Sequence, residues 1–423
     1  MKINLPETGV QTEALIARAE ADCAAPFHRI DEIELYNTRK VIAAFQRHRV
    51  SARHFAPTTG YGYDDIGRDT LGELFADVLG TEAALVRPQI ASGTHALALC
   101  LFGVLRPGDV MLCGAGKPYD TMEEVIGIAG EPGNGSLKDL GVGYRQAELK
   151  DGRIDIEAIL AQLTPEVKLV LLQRSRGYDW RPSLSVQELN AAIDAIHARQ
   201  PDTCVMVDNC YGEFTDREEP RADLMAGSLI KNPGGGIAPT GGYVAGKAKY
   251  VELVSYRLTS PGIGAEVGSY AGSYQPFYQG LFHAPHTVAQ AVKTAVLAAR
   301  TFELLGFDVH PAYDAPRNDI IEAIRFGAED KLVRFIQAIQ FCSPVDAEAV
   351  PEPWDMPGYQ DPVIMAAGTF VSGASVELSA DAPIRAPYAA YMQGGLTYAH
   401  GRIAVAGAVQ LLLNEGLIQI PTP

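Results

Sequence analysis

The 423-residue chain has no uninterrupted run of about 18 apolar residues, so no bilayer-spanning helix is expected. Positive charge is scarce. Thirty-five Lys and Arg face 51 Asp and Glu, for a formal net charge of −16. That sign disfavours phosphate backbones and anionic lipid surfaces, so neither nucleic acid nor membrane is expected as a partner. Paired cysteines are missing. Cys23, Cys100, Cys113, Cys204, Cys210 and Cys342 are scattered, mostly in apolar runs, and none forms a Cys-x-x-Cys pair. Buried free thiols in a reducing compartment are the expectation. Met1 to Val10 shows neither a basic n-region nor an apolar h-region, which excludes a signal peptide there and points to the cytoplasm. No P-loop, Gly-x-Ser-x-Gly elbow, internal repeat or low-complexity tract occurs.

Two partial motifs fail on spacing. Gly262-x-Gly264-x-x-x-Gly268 has too long a last gap for a dinucleotide loop and follows a Ser-Pro loop rather than a strand. His283-Ala-Pro-His286 has a proline between the histidines and no carboxylate or cysteine cluster to support it, so no metal is expected.

With 47% hydrophobic residues the chain has ample material for a large core. Residues 1 to about 55 read as helical, with a break at Pro26. The loop Thr58 to Asp65 follows, then a helix capped by Thr70 and ended by Gly80. Apolar runs at Ala84–Ile90, Val110–Cys113, Val167–Leu172, Thr203–Asp208 and Ser228–Ile230 read as buried strands. Helical segments at Thr94–Val104, Asp155–Leu163 and Val186–Arg199 lie between them, and Gly241–Gly246 reads as a return strand. This alternation predicts an α/β fold with a mostly parallel, covered sheet. An amphipathic helix over Val288–Leu305 leads out of it. From about 307 the pattern changes to Phe307–His310, a helix-like Asp319–Ile339, and strand-like Val363–Ala367 and Ala374–Leu378. The expected division is an N-terminal segment 1–55, a large domain 56–305 and a smaller α+β domain 306–423.

The chemistry concentrates at strand ends. Lys231 sits between apolar Leu229-Ile230 and Gly234-Gly235-Gly236, where desolvation would lower its pKa toward the nucleophilic amine. Asp208 closes the run Val205-Met206-Val207, at the strand edge where open α/β sheets bind ligands. Pyridoxal phosphate (PLP) needs this pair: an amine for its aldehyde and a carboxylate for its ring nitrogen. Ser92-Gly93-Thr94 lies between a strand and a helix, suited either to an N-cap or to backbone N–H groups aimed at a phosphate. Ser228, three residues before Lys231, has a hydroxyl for the same phosphate. Tyr119 is positioned to stack on a ring. Arg68, Arg174, Arg176, Arg385 and Arg402 are candidates for phosphate or carboxylate contacts, each equally able to form a surface ion pair.

Together, the stretches 58–69 (TTGYGYDDIGRD), 92–96 (SGTHA), 173–178 (QRSRGY), 207–213 (VDNCYGE), 228–237 (SLIKNPGGGI) and 393–397 (QGGLT) resemble the methionine gamma-lyase-like, or aluminium-resistance, family. That family is a branch of the Cys/Met-metabolism PLP enzymes of fold type I. The resemblance covers most of the chain. It implies that Lys231 holds the cofactor covalently, that Asp208 pairs with the ring nitrogen and that Tyr119 stacks on the ring. Ser92, Gly93, Thr94 and Ser228 would surround the phosphate. It further implies a homodimer or homotetramer with shared sites, in which Tyr61, Tyr63 and Arg68 reach the phosphate of a neighbouring subunit. The spacing of these three departs from the pattern, and Ile230 stands where related lyases carry a second hydroxyl. For the substrate carboxylate, Arg385 is the first candidate, with Arg402 and Arg176 behind it.

The reaction implied is elimination at Cβ or Cγ of a sulfur-containing amino acid, giving a 2-oxo acid, ammonia and a thiol. Transamination, β-replacement and retro-aldol cleavage use the same lysine and aspartate. A non-catalytic PLP-binding stress protein is a reading of a different class.

Overall fold

The computed structural model describes residues 5–356, 359 and 361–421. Two helices open it, α1 (Val10–Asp22) and α2 (Ala24–Arg47). Pro26 does not interrupt them. It is the third residue of α2, where a missing N–H costs no intrahelical bond. Helix α3 (Ile66–Leu79) is capped by Asp65, not Thr70: the Asp65 carboxylate accepts the Arg68 backbone N–H at 3.0 Å. Gly80 ends it at φ 71°.

The chain then runs β1 (Ala83–Arg87), α4 (Gly93–Val104), β2 (Val110–Cys113), α5 (Asp120–Ile126), β3 (Gly143–Gln146), α6 (Ile156–Gln162), β4 (Val167–Gln173), α7 (Val186–Arg199), β5 (Cys204–Asp208), β6 (Leu224–Ser228), β7 (Gly242–Gly246), α8 (Ala248–Leu258) and α9 (Gln275–Leu304). These strands form a seven-stranded sheet in the order β1-β7-β6-β5-β4-β2-β3. Strands β3, β2, β4, β5 and β6 are mutually parallel, and β7 is antiparallel to both its neighbours.

The two-residue period of β5 divides its side chains between two cores. Val205 and Val207 enter the core shared with α3, α7 and α9, while Cys204 and Met206 enter the one shared with α4 and α8. Burial on both faces is why the strands read as unbroken apolar runs. Each fully buried aliphatic side chain contributes about 1.5–3 kcal/mol. All six cysteines are buried and free.

Two boundaries differ from expectation near Lys231. Strand β6 ends at Ser228, so Leu229 and Ile230 belong to the turn that presents the lysine. Helix α9 is 30 residues long and starts at Gln275, with Pro285 inside it, rather than at Val288. Its N-terminal half lies against the turn at 234–236. A Cβ on Gly280 would stand 2.4 Å from the Gly234 carbonyl oxygen, so glycine is what permits the approach.

The second sheet contains β8 (Asp308–His310), β9 (Ile321–Arg325), β10 (Val363–Ala366), β11 (Ser379–Pro383) and β12 (Ala389–Gln393) in the order β10-β11-β12-β9-β8, antiparallel throughout. Helices α10 (Glu329–Phe341) and α11 (Tyr398–Asn414), the end of α9 and part of α1 bury Phe302, Phe335, Leu412 and Leu15 against it. The helix-like reading of 319–339 is half wrong. Its first part is strand β9, because Ile320, Ile321 and Ile324 satisfy a helical spacing as readily as a buried strand. Residues 374–378 form a turn before β11. No helix among the described residues is long and apolar enough to cross a membrane.

Candidate active site

A cavity of about 440 Å³ lies where the C-terminal ends of β4, β5 and β6 and the starts of α4 and α5 meet residues of the second sheet. Ser92, Gly93, Thr94, Tyr119, Asp208, Ser228 and Lys231, far apart in sequence, all line it.

One end is the start of α4. Ser92 is its N-cap, and its Oγ accepts the His95 N–H at 3.0 Å. His95 Nδ1 in turn accepts the Ala91 N–H at 3.0 Å. The Gly93 and Thr94 N–H groups head the helix, where the helix itself offers no acceptor, and the helix dipole favours an anion there. A Cβ at Gly93 would lie 3.2 Å from Cys210 Sγ, a tight contact, and 3.6 Å from Ser228 Cβ. Thr94 Oγ1 is 2.8 Å from Thr121 Oγ1, which also lines the cavity.

Lys231 is half-buried, and its Nζ lies 4.1 Å from the Tyr211 ring centroid. Burial disfavours its ammonium, but Tyr211, Cys210 and Asp208 outweigh that and hold its pKa above the ordinary lysine value. The sequence-based expectation of a lowered pKa from desolvation is thus reversed by the acids around it. Asp208 is buried at the end of β5, and its Oδ1 accepts the Cys210 N–H at 3.1 Å. Burial pushes its carboxyl up, against the pull of that hydrogen bond and of Lys231.

The second sheet supplies a wall that the sequence reading missed. Asp381 of β11 lines the cavity, with Gln393 Nε2 at 3.4 Å from its Oδ2. Burial pushes its pKa up to about 6. Hydrogen bonds from Gln393 and the Tyr178 phenol, and the charge of Lys231, pull the other way. Tyr359 Oη and Tyr119 Oη are 2.9 Å apart. Nothing local marks Asp381, which sits in Ser-Ala-Asp-Ala-Pro. Tyr211 closes the Asp-Asn-Cys-Tyr stretch and holds φ 72°, rare for a bulky residue.

Other candidates lie elsewhere. Tyr61 and Tyr63 are exposed at a loop, their ring centroids 5.6 Å apart. Arg68 is buried and bound to Asp69 and the Gly62 carbonyl, so within this chain it braces that loop instead of facing the cavity. Arg176 is buried between His310 and Asp319, and Arg174 pairs with Glu219 at 2.9 Å. Arg385 pairs with Asp361 at 2.8 Å outside the cavity. Arg402 ties α11 to Glu13 and Glu20 of α1. None of the arginines expected to meet the substrate carboxylate, Arg385, Arg402 or Arg176, lines this cavity. His286 pairs with Glu34 at 2.8 Å.

This architecture is that of PLP-dependent enzymes of fold type I. A solved structure of the PLP-dependent protein YhfS from Escherichia coli shares it at 16% identity, with a TM-score of 0.59 over 90% of this chain and 96% of that one. Within that class the chain belongs to the methionine gamma-lyase family, which matches residues 12–413. It is 54% identical to the uncharacterized protein YnbB of Bacillus subtilis, over 94% of this chain and 96% of that one. A candidate cystathionine beta-lyase involved in aluminum resistance from Clostridium acetobutylicum superimposes with a TM-score of 0.94 at 49% identity, over 96% of each chain. A carbon-sulfur lyase involved in aluminum resistance from Clostridium novyi gives 0.92 at 49%, over 95% and 96%.

Proposed function

We propose that the chain is a PLP-dependent carbon–sulfur lyase that eliminates a thiol from a sulfur-containing amino acid, leaving a 2-oxo acid and ammonia. The observation that carries this reading is one cavity lined by Lys231, Asp208 and the N-terminus of α4. The donor set fits the cofactor: an amine for an aldehyde, a buried carboxylate for a ring nitrogen and a helix start for a phosphate. When bound, the cofactor supplies an electron sink for a carbanion at the substrate Cα.

The chain's own residues do the rest. Gly93 and Thr94 present N–H groups to the phosphate and Ser228 its hydroxyl. Thr121, beside Thr94, provides the hydroxyl that Ile230 cannot. Asp208 would keep a proton on the ring nitrogen, and Tyr119 would face the heterocycle. Lys231 Nζ would take the proton from the substrate Cα, and the Tyr211 ring beside it would limit where the amine can sit. A homodimer or homotetramer would let Tyr61 and Tyr63 reach a second copy's site.

The test is an absorbance spectrum of the purified protein, followed by cystathionine, methionine, cysteine and homocysteine with detection of keto acid, ammonia and thiol. The reading requires a visible cofactor band that Lys231→Ala abolishes, together with keto-acid release. A requirement for an amino-group acceptor would indicate a transaminase, and binding without turnover a non-catalytic protein.

A further inference from the structure

Four segments bring a file of hydroxyls to one edge of the cavity: the start of α5, the loop after β4, the loop before β10, and β11. Tyr119 Oη and Tyr359 Oη are 2.9 Å apart, and either can donate to the other. Tyr178 hydrogen-bonds to Tyr359 on one side and to the Asp381 carboxyl on the other. Its backbone is held by Tyr391 of β12, whose Oη donates to the Tyr178 carbonyl at 2.6 Å. The three rings pack together, with centroids 5.8–6.5 Å apart. Tyr119, Tyr359 and Asp381 line the cavity, and Tyr178 connects them.

We propose that this file is a proton path, Asp381 to Tyr178 to Tyr359 to Tyr119, that supplies the leaving sulfur. The inference rests on the lyase reading. As the carbon–sulfur bond breaks, its electron pair stays on sulfur, and the Tyr119 O–H proton passes to that sulfur. Tyr119 takes a proton from Tyr359, Tyr359 from Tyr178, and Tyr178 from Asp381, which is left as the carboxylate. Water entering the cavity after the thiol departs returns a proton to Asp381. Only Tyr119 meets the substrate; the other three are positioning residues that act through it.

The physical reason is where a negative charge can rest. Burial holds all three phenols above the usual tyrosine range, and the charge of Asp381 adds to it. A phenolate left at any of them is therefore unfavourable. Aspartate is by far the stronger acid, and Gln393 Nε2, 3.4 Å from Asp381 Oδ2, supports the carboxylate once it forms. Burial pushes the Asp381 carboxyl up, so it exchanges its proton closer to neutral pH than an exposed aspartate does. Hydrogen bonds in series also polarise one another, which favours transfer along the whole file over a stop within it.

S-ethyl-L-cysteine and 3-chloro-L-alanine separate proton supply from folding. An alkanethiolate leaves well only with a proton, whereas chloride leaves without one. In the holoenzyme, Asp381→Asn and Tyr359→Phe are each expected to lower the ratio of kcat for S-ethyl-L-cysteine to kcat for 3-chloro-L-alanine at least about tenfold. The double variant should lose no more than the worse single one, because both substitutions break one path. Carbon-13 NMR of the Asp381 carboxyl gives a readout without turnover: Tyr178→Phe removes a donor and should raise its pKa. Equal losses on the two compounds, or an Asp381 titration unmoved by Tyr178→Phe, overturn the proposal and leave the lyase reading standing. Keto acid from neither compound in the unaltered protein removes the lyase reading, and the path with it.

Discussion

Lys231 Nζ sits 4.1 Å from the centroid of the Tyr211 ring, and Tyr211 Oη accepts a hydrogen bond from Ser375 Oγ at 2.9 Å. The tyrosine thus links the turn bearing the lysine to the segment that closes the other side of the cavity. It does so from a backbone at φ 72°, a conformation costing a bulky residue on the order of 1–3 kcal/mol. Tyr211→Leu removes the ring from the amine and should weaken PLP binding roughly 3- to 30-fold, the range of a cation–π contact. Tyr211→Phe keeps the ring and should weaken it far less. Spectrophotometric titration of the apoprotein with PLP checks both, and equal losses in the two variants would contradict the role given to the ring.

Asp208→Asn removes the charge that holds a proton on the cofactor ring but leaves an acceptor for the Cys210 N–H. We expect kcat to fall about 100-fold or more, the scale of losing one preorganised electrostatic group. The melting temperature should change little. Steady-state kinetics beside a thermal melt separate the two effects.

Arg402 and Arg385 provide a negative test. Arg402 joins α11 to α1 through Glu13 and Glu20, and Arg385 is paired with Asp361 at the surface. Alanine at either position should leave KM for any amino-acid substrate unchanged. The stability cost should be below about 1 kcal/mol for each, as for other exposed ion pairs. A rise of KM above about tenfold in one variant would return that arginine to the substrate site.

Glu213 is fully buried, with Tyr243 Oη donating to its Oε1 at 2.8 Å. Burial pushes its pKa up to about 8. The folded protein therefore keeps a proton that the unfolded chain releases near the ordinary glutamate pKa. This group's share of stability is complete at low pH and declines as pH rises through about 8. Burial also raises Glu322, to about 7, and it acts in the same direction. Glu213→Gln keeps an acceptor for Tyr243 without the ionisation, so it should lose ~1–3 kcal/mol less than wild type between pH 5 and pH 8.5. Denaturant midpoints at the two pH values measure this.

Gly280→Ala forces a methyl to within 2.4 Å of the Gly234 carbonyl oxygen. Backbone cannot yield as a side chain does, so a loss of about 1–3 kcal/mol is expected. Because the contact braces the Lys231 turn, cofactor affinity should fall along with the melting temperature. A drop in stability with unchanged PLP affinity would show the turn to be held from elsewhere.

Signals that are local in the chain are legible in the residues alone. The central strands, buried on both faces, announce themselves as apolar runs, and β2 and α7 match the expected spans residue for residue. Lys231, Asp208 and Ser92 to Thr94 stand out because each lies at a strand end beside small residues. Expectation and structure part where a local pattern admits two conformations. The isoleucines of β9 satisfy a helical spacing, and Pro285 looks like a helix breaker although α9 continues through it.

By itself, then, the sequence determined the alternation of elements, the covered sheet and the lysine–aspartate pair, since periodicity and strand-end chemistry are properties of neighbouring residues. The tertiary structure alone decided that Asp381 and Tyr211 line the cavity while Arg385 and Arg402 do not. Those outcomes depend on how two sheets and a 30-residue helix pack together, and a charged side chain goes to whichever partner that packing brings within reach.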